Sequence, residues 1–194
     1  NPTLAYHGGK EQLMELDAVL YKQRQRTRPT GGLASFDGNV VGIPVPGKVG
    51  LDVNGTWNKG KSGFAHYIPR SSVLLLGYVL GWGFDVSICS YVTSEEKVKE
   101  INTKNPKQEK TYIGGKVTQC VNEALDLLRR CLPQLMSMVD EEEAVTFDLC
   151  FETTGKKGKW NSVWKKAGVT VVVDDSLDVV QEIKHASPKT KVLV

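Results

Sequence analysis

The sequence predicts an α/β fold, in which a three-layer, Rossmann-like parallel sheet carries helices on both faces. Strand and helix patterns alternate from residue 48 onward, as expected when crossover helices connect parallel strands. The run Val169–Val173 is entirely β-branched, which is typical of a parallel strand covered on both faces. The chain has 194 residues, of which 40% are hydrophobic, so it can bury the core of one domain of ordinary size.

Two regions are expected: an N-terminal helical arm with a hairpin at residues 1–47, and the α/β core at residues 48–194. Apolar residues at helical spacing predict a first helix over 9–27, and Asp37-Gly38 predicts a hairpin turn. The basic run Lys22–Arg28 fits a solvated helix end that complements the helix dipole better than a nucleic-acid patch. The apolar face of this helix could pack on its own core or on a second copy, so a homodimer through it is left open.

The remaining elements follow from periodicity and from breaker residues. Five strands are predicted, at Val49–Val53, Phe84–Tyr91, Ala144–Phe151, Val169–Val173 and Lys191–Val194. Helices are predicted through Val73–Leu80, from about Glu95 to Asn102, at Lys116–Met138 with an interruption at Pro133, at Trp160–Ala167, and after Ser176. The acidic run Asp140–Glu143 is expected to be a solvated loop.

Composition narrows the class of protein. The net charge of +3 is mild and does not by itself imply a nucleic-acid partner. No apolar run approaches the roughly 20 residues of a membrane span, and no signal peptide is recognisable. The four cysteines lack any C-x-x-C pair, and Cys89 and Cys150 fall in strands as free core thiols, so an intracellular, cytoplasmic protein is expected. The first residue is Asn1 rather than methionine, which suggests a fragment or a processed product.

The most informative stretch is the strand that ends at Asp52 and is followed by an Asn54-Gly55-Thr56 turn. Open α/β sheets bind their ligands beyond the carboxyl ends of parallel strands. Gly55 allows backbone N–H groups to approach an anion closely, so Asp52 would lie beside a phosphate cradle. This is the geometry of a nucleophile or a metal ligand, although Asp, Asn and Gly are also ordinary turn residues.

Three later segments place complementary groups at the same edge of the sheet. Ser90 ends the second predicted strand, lysines 156, 157 and 159 precede a helix, and Asp174 and Asp175 follow the Val169–Val173 strand. Carboxylates from two strands can hold Mg²⁺, while a hydroxyl and a lysine bind the remaining oxygens of a phosphate. The sequence therefore predicts a magnesium and phosphate site.

These motifs resemble those of the haloacid dehalogenase-like superfamily of phosphohydrolases. The first family motif is similar to residues 52–56, the second to the strand ending at Ser90, the third to one of the three lysines, and the fourth to residues 169–175. The likeness covers about residues 48–194 and keeps the family's motif order. Lys159 is the preferred lysine, because it immediately precedes the predicted helix at Trp160.

The resemblance implies a role for each matched residue. Asp52 would be the nucleophile and a Mg²⁺ ligand, and the backbone carbonyl of Asn54 would be a second ligand. Gly55, Thr56, Ser90 and Lys159 would bind the phosphoryl group, while Asp174 and Asp175 would complete the metal site. One departure stands out, because the family usually has a second Asp, the general acid/base, where this chain has Asn54. An amide cannot transfer a proton, so catalysis would be slow or absent unless a good leaving group, or a substitute acid such as His66, offsets the loss.

The leading hypothesis is thus a Mg²⁺-dependent phosphatase that acts on a phosphorylated substrate through an aspartyl phosphate at Asp52. The intervals before and after Ser90 are too short for a large cap, and the resulting open site suits large substrates such as phosphoproteins or nucleic-acid ends. A second hypothesis is a catalytically weak or inactive module for binding or assembly, which Asn54 favours. A nucleic-acid end-processing phosphatase is a third, based on the basic Lys22–Arg28 run.

Overall fold

The computed structural model describes residues 9–28, 35–36, 39–40, 47–53, 70–107, 110–151 and 158–193. Its helices are α1 (Gly9–Thr27), α2 (Arg70–Gly81), α3 (Glu95–Lys104), α4 (Gly114–Cys131), α5 (Pro133–Ser137), α6 (Glu141–Ala144) and α7 (Leu177–Ala186), with a π-helical turn at Trp160–Trp164. Its strands are β1 (Ser35–Phe36), β2 (Asn39–Val40), β3 (Lys48–Asp52), β4 (Asp85–Val92), β5 (Val145–Phe151), β6 (Val169–Val173) and β7 (Lys191–Leu193).

Five of the described strands form an all-parallel sheet in the order β5-β4-β3-β6-β7. The first of these strands along the chain, β3, lies at the centre of the sheet. Strands β4 and β5 are added on one side of β3, and the chain then returns to form β6 and β7 on the other side. The strand order therefore reverses between β3 and β6, and such a switch point opens a crevice at the carboxyl ends of the strands. This arrangement confirms the predicted α/β, Rossmann-like fold. Strands β1 and β2 pair antiparallel, as in the predicted hairpin, whose turn residues 37–38 lie outside the described part of the chain.

Each face of the sheet has its own hydrophobic core. The larger core joins alternate residues of the strands, such as Leu51 and Ile88, to helices α1, α2, α4, α5 and α6. The smaller core joins Cys89, Cys150 and Val172 to the π-helical turn and α7. Both cysteines are buried free thiols, as predicted. Because side chains alternate along a strand, neighbouring residues of β3, β4 and β6 serve opposite cores.

Helix α1 packs into the larger core through Leu20, which is only 2% exposed. The solvated interpretation of its basic end is wrong for Arg24, which is buried and donates to the Leu80 carbonyl at 2.7 Å. Arg28 donates to the Gly83 carbonyl at 3.0 Å and to the Asp85 carboxylate at 2.8 Å. Two of the basic residues therefore tie the end of α1 to the end of α2, to Gly83 and to the start of β4. The sequence did not indicate this, because the partners lie more than fifty residues away.

Several element boundaries differ from the predictions. The acidic run does not form a loop, because residues 141–144 make the single turn of α6. Its last residue, Ala144, is buried in the larger core, which gives the turn a packing reason to form. Strand β4 continues to Val92, one residue past the predicted end at Tyr91. The interruption at Pro133 is confirmed, since α4 ends at Cys131 and α5 begins at Pro133.

The long connection from β4 to β5 builds the core rather than a separate unit. Helices α4, α5 and α6 all contribute buried residues to the larger core, including Val121, Leu135 and Ala144.

Among the described helices, none combines the length and the apolar character needed to cross a membrane.

Candidate functional site

Asp52 is the last residue of the central strand β3, and its side chain is almost completely buried. Leu51 and Val53 on either side belong to the larger core, so Asp52 points to the opposite face, where the π-helical turn lies. Asp52 thus lies at the carboxyl end of a parallel strand, as the sequence predicts, and this strand borders the switch point of the sheet.

Asp174 directly follows β6 and has no exposed surface. Its backbone N–H donates to the Leu193 carbonyl at 3.2 Å, and its Oδ1 accepts from the Ser176 N–H at 2.8 Å. Strand β7 and the start of α7 therefore fix both its backbone and its carboxylate. Asp175 is exposed, and carboxylate oxygens of Asp52, Asp174 and Asp175 all lie within 4.8 Å of one another. We call these three residues the carboxylate cluster.

Lys159 connects the two buried members of the carboxylate cluster. It precedes the π-helical turn, is 3% exposed, and donates from Nζ to Asp52 Oδ1 and to Asp174 Oδ2, the latter at 2.8 Å. The structure therefore brings the preferred lysine of the sequence prediction to both carboxylates. The alternatives Lys156 and Lys157 lie outside the described residues.

The charges of this site perturb one another. Burial raises the pKa of Asp52 to about 7, the negative charges of Asp174 and Asp175 add to the increase, and Lys159 opposes it. Burial lowers the pKa of Lys159, but the two carboxylates outweigh burial and hold the pKa above its usual value. Lys159 therefore stays a cation. Asp52 is partly protonated near neutral pH, and a further positive charge beside it would favour its ionised form.

Two aromatic rings complete the surroundings of Lys159, and the sequence analysis missed both. Nζ of Lys159 lies 5.3 Å from the centroid of the Tyr91 ring and 5.6 Å from that of the Trp164 ring. Tyr91 comes from β4 and Trp164 from the end of the π-helical turn, so residues distant in sequence meet only in the folded sheet. The sequence pattern predicts only that aromatic residues at these positions belong to the hydrophobic core. No sequence signal indicates that they lie near the lysine.

The structure does not bring every predicted residue to the carboxylate cluster. Asn54, Gly55, Thr56 and His66 lie outside the described residues. Ser90 is buried inside β4 rather than at its end, which corrects the predicted strand boundary. Its neighbours Cys89 and Tyr91 face the smaller core, so alternation turns Ser90 toward the larger core and away from Lys159.

The donor set of the carboxylate cluster suits a small divalent cation. Mg²⁺ prefers oxygen ligands and is commonly held by one or two carboxylates together with waters and substrate phosphates. With all three carboxylates deprotonated, as metal binding requires, the carboxylate cluster and Lys159 together would carry two excess negative charges, which a divalent cation would balance. The residues therefore fit Mg²⁺ by chemistry and by charge.

Similarity to known proteins gives this site no identity. No protein-family model matches the chain, and no curated protein matches it. A function for the carboxylate cluster and Lys159 therefore has to be inferred from their geometry and charge.

Proposed function

We propose that the chain is a Mg²⁺-dependent phosphohydrolase of the haloacid dehalogenase-like type, with Asp52 as its nucleophile. One observation carries the proposal: Lys159 bridges Asp52 and Asp174, which lie at the carboxyl ends of two adjacent parallel strands at the switch point of the sheet. A nucleophile, a cation for phosphate oxygens and further metal ligands are thus within contact distance of each other. These are the parts that phosphoryl transfer through an aspartyl phosphate requires.

Asp52, Asp174 and Asp175 would hold the metal ion. Bound there, Mg²⁺ would neutralise negative charge on the phosphoryl oxygens and on the carboxylates. Binding would also favour the ionised form of Asp52, whose pKa burial raises to about 7 in the metal-free protein. The nucleophile would therefore be a carboxylate at neutral pH once the metal ion is present.

Asp52 and Lys159 would carry the two displacement steps. In the first, a carboxylate oxygen of Asp52 forms a bond to phosphorus as the bond from phosphorus to the leaving oxygen breaks, and the leaving oxygen takes up a proton from solvent. In the second, water attacks phosphorus and gives up a proton to solvent, the bond to Asp52 breaks, and inorganic phosphate leaves with the carboxylate restored. Through both steps the Lys159 ammonium, a triple hydrogen-bond donor, would bind phosphoryl oxygens and oppose their charge.

A second candidate is a weakly active or inactive module that binds phosphorylated ligands without turning them over. The amide at Asn54 favours it, because general acid–base help is worth about 10²–10⁴-fold in rate. The third hypothesis, a nucleic-acid end-processing phosphatase, loses part of its support. Arg24 and Arg28 of the basic run are engaged with Leu80, Gly83 and Asp85 inside the fold.

Hydrolysis of p-nitrophenyl phosphate, with Mg²⁺ and with EDTA, tests the proposal directly. The good leaving group needs little help from an acid, so the assay reports on the nucleophile despite Asn54. We expect Mg²⁺-dependent turnover that Asp52→Asn abolishes, with Asp178→Asn, an exposed carboxylate at the start of α7, as the matched control. Absence of turnover in folded protein that binds Mg²⁺ would favour the binding module.

A further inference from the structure

Lys159 is held by more than its two carboxylates. Its ammonium lies within 6 Å of the ring centroids of Tyr91 and Trp164, the range in which cation–π attraction acts. It is only 3% exposed, so water does not compete strongly with the rings. We infer that Tyr91 and Trp164 are positioning residues, which we call the aromatic cradle, and that they fix the direction in which Lys159 presents its charge to a phosphoryl group. This inference rests on the proposed function for its catalytic meaning.

The wide π-helical turn explains how Trp164 reaches Lys159. In an α-helix with 3.6 residues per turn, two residues five apart point in directions that differ by about 140°. Here the Lys165 N–H donates to the Trp160 carbonyl at 2.8 Å, a hydrogen bond between residues five apart that defines the π form. The wider turn brings residues five apart closer to one side, so Lys159 and the Trp164 ring can meet.

Trp164 is itself fixed in place. It has no exposed surface, and its indole N–H donates to the Ser87 carbonyl of β4 at 3.0 Å. Its ring lies against the bare backbone of Gly50, where an added Cβ would be 2.9 Å from Cε2. Gly50 is two residues before Asp52 on the same face of β3, so the ring spans the strands directly beneath the nucleophile. The indole is therefore a rigid floor for the lysine.

A lysine needs such a support more than an arginine would. Its ammonium is a point charge on a flexible four-carbon stem, and fixing that stem costs about 2 kcal/mol of rotamer entropy. The two carboxylates cannot supply the support during the reaction, because the metal ion and the phosphoryl group would take over their oxygens. The aromatic rings keep their contacts with the ammonium when those partners change. The cradle is thus the part of the lysine's surroundings that does not depend on the ligand.

Substitution of Tyr91 separates this role from a structural one, because Tyr91 is only partly buried. We expect Tyr91→Phe to stay within about threefold of the parent kcat for p-nitrophenyl phosphate, while Tyr91→Leu loses tenfold or more, since small misplacements of a catalytic group cost up to 100-fold. The Mg²⁺ concentration for half-maximal rate should change less than threefold, because the carboxylates are untouched. Tyr78→Leu, the removal of an exposed ring on α2, should leave kcat unchanged. If Tyr91→Phe and Tyr91→Leu have the same kcat, whether unchanged from the parent protein or reduced, the inference is overturned.

A double-mutant cycle tests the cradle even if the chain proves inactive. Tyr91→Leu, Lys159→Met and the double variant are compared by urea unfolding in EDTA, and the Tyr91–Lys159 coupling is taken from the four unfolding equilibrium constants. We expect a coupling of about threefold or more, which lies in the range of cation–π contacts. A smaller coupling would refute the cradle. If the parent protein shows no turnover of p-nitrophenyl phosphate, by contrast, only the proposed function is refuted.

Discussion

Lys159→Met removes the ammonium that lies between two buried carboxylates and keeps a side chain of similar length. Asp52 and Asp174 are 2% and 0% exposed, so water cannot replace the lost cation. Breaking a buried ion pair by removing one partner typically costs about 3–5 kcal/mol. We expect a loss of this size in the free energy of unfolding at pH 8 in EDTA, measured by urea unfolding with tryptophan fluorescence.

The loss should shrink as the pH falls. A carboxyl group that is buried without a cation has a folded-state pKa above its unfolded value near 3.9, so the folded state binds more protons and stability falls as the pH rises. At pH 5 Asp52 is largely protonated even in the parent protein, because its folded-state pKa is about 7, so removing the ammonium leaves less charge unpaired than at pH 8. The variant should therefore lose about 1–2 kcal/mol at pH 5, against about 3–5 kcal/mol at pH 8.

Magnesium should rescue the variant more than the parent protein. In the variant the carboxylate oxygens no longer bind an ammonium, so the ion meets less competition at the carboxylate cluster. An ion at a hundred times its Kd adds about 2.7 kcal/mol of stability. Lys165→Met, which removes an exposed lysine just after the π-helical turn, should change stability by less than about 0.5 kcal/mol at either pH. A loss that is the same at pH 5 and pH 8 would refute the electrostatic reasoning and point to lost packing of the lysine stem.

Three further substitutions have defined outcomes. The pKa of Asp52 rises from 3.8 to about 7 on folding, so ionisation of Asp52 destabilises the metal-free fold. As the pH is raised from 4 to 8, the free energy of unfolding of Asp52→Asn, measured by urea titration, should therefore increase by up to about 4 kcal/mol relative to that of the parent protein. Gly50→Ala should cost about 1–3 kcal/mol in the same assay and shift the fluorescence of Trp164, because the added Cβ would press on its rigid ring. Asp17→Ala should cost about 1–3 kcal/mol and speed amide hydrogen exchange in α5, because the buried carboxylate accepts two backbone N–H groups there at 2.9 Å.

Each of these has a contrary result, and the last two have a matched control. For Asp52→Asn the contrary result is a stability difference that does not change with pH. Gly115→Ala, a glycine of α4 with no atom near its missing Cβ, should be neutral or stabilising, and equal losses at Gly50 and Gly115 would contradict a steric cause. Glu15→Ala, on the exposed side of α1, is the control for Asp17→Ala and should leave hydrogen exchange in α5 unchanged. If Asp17→Ala also leaves that exchange unchanged, the contact between Asp17 and α5 does not stabilise the helix.

The sheet could be predicted because runs or alternations of apolar residues mark its strands. A continuous β-branched run such as Val169–Val173 has few alternatives to a buried parallel strand, and the observed β6 has the predicted bounds. The proximity of Asp52, Asp174 and Asp175 could be predicted as well, since the carboxyl ends of parallel strands meet at one edge of the sheet. Lys159 could be favoured over its neighbours from its position before the predicted helix.

The contacts that cross the fold could not be predicted in this way. Arg24 reaches Leu80 and Asp85 only after α1 has packed against α2, and no local pattern encodes that pairing. Trp164 meets Lys159 through a π-helical turn, whereas periodicity alone predicted an ordinary helix there. Ser90 was placed at a strand end because polar residues often end strands, yet β4 continues for two more residues as a pairing partner of β5.

The energetics of the carboxylate cluster argue that it is there for a ligand. A buried ion pair or triad contributes little net stability, and well-packed apolar residues of similar volume often do better. Here the imbalance is worse, because three carboxylates face one lysine and burial already holds the pKa of Asp52 near 7. Such a site is electrostatically unfavourable in the metal-free protein and, under the proposed function, would be stabilised by a divalent cation and by an anion that binds Lys159. If this is correct, Mg²⁺ and a phosphate mimic such as orthovanadate should raise the melting temperature together by more than the sum of their separate effects, and Asp52→Asn should remove that excess. Simple additivity of the two ligands would show that they do not share the site.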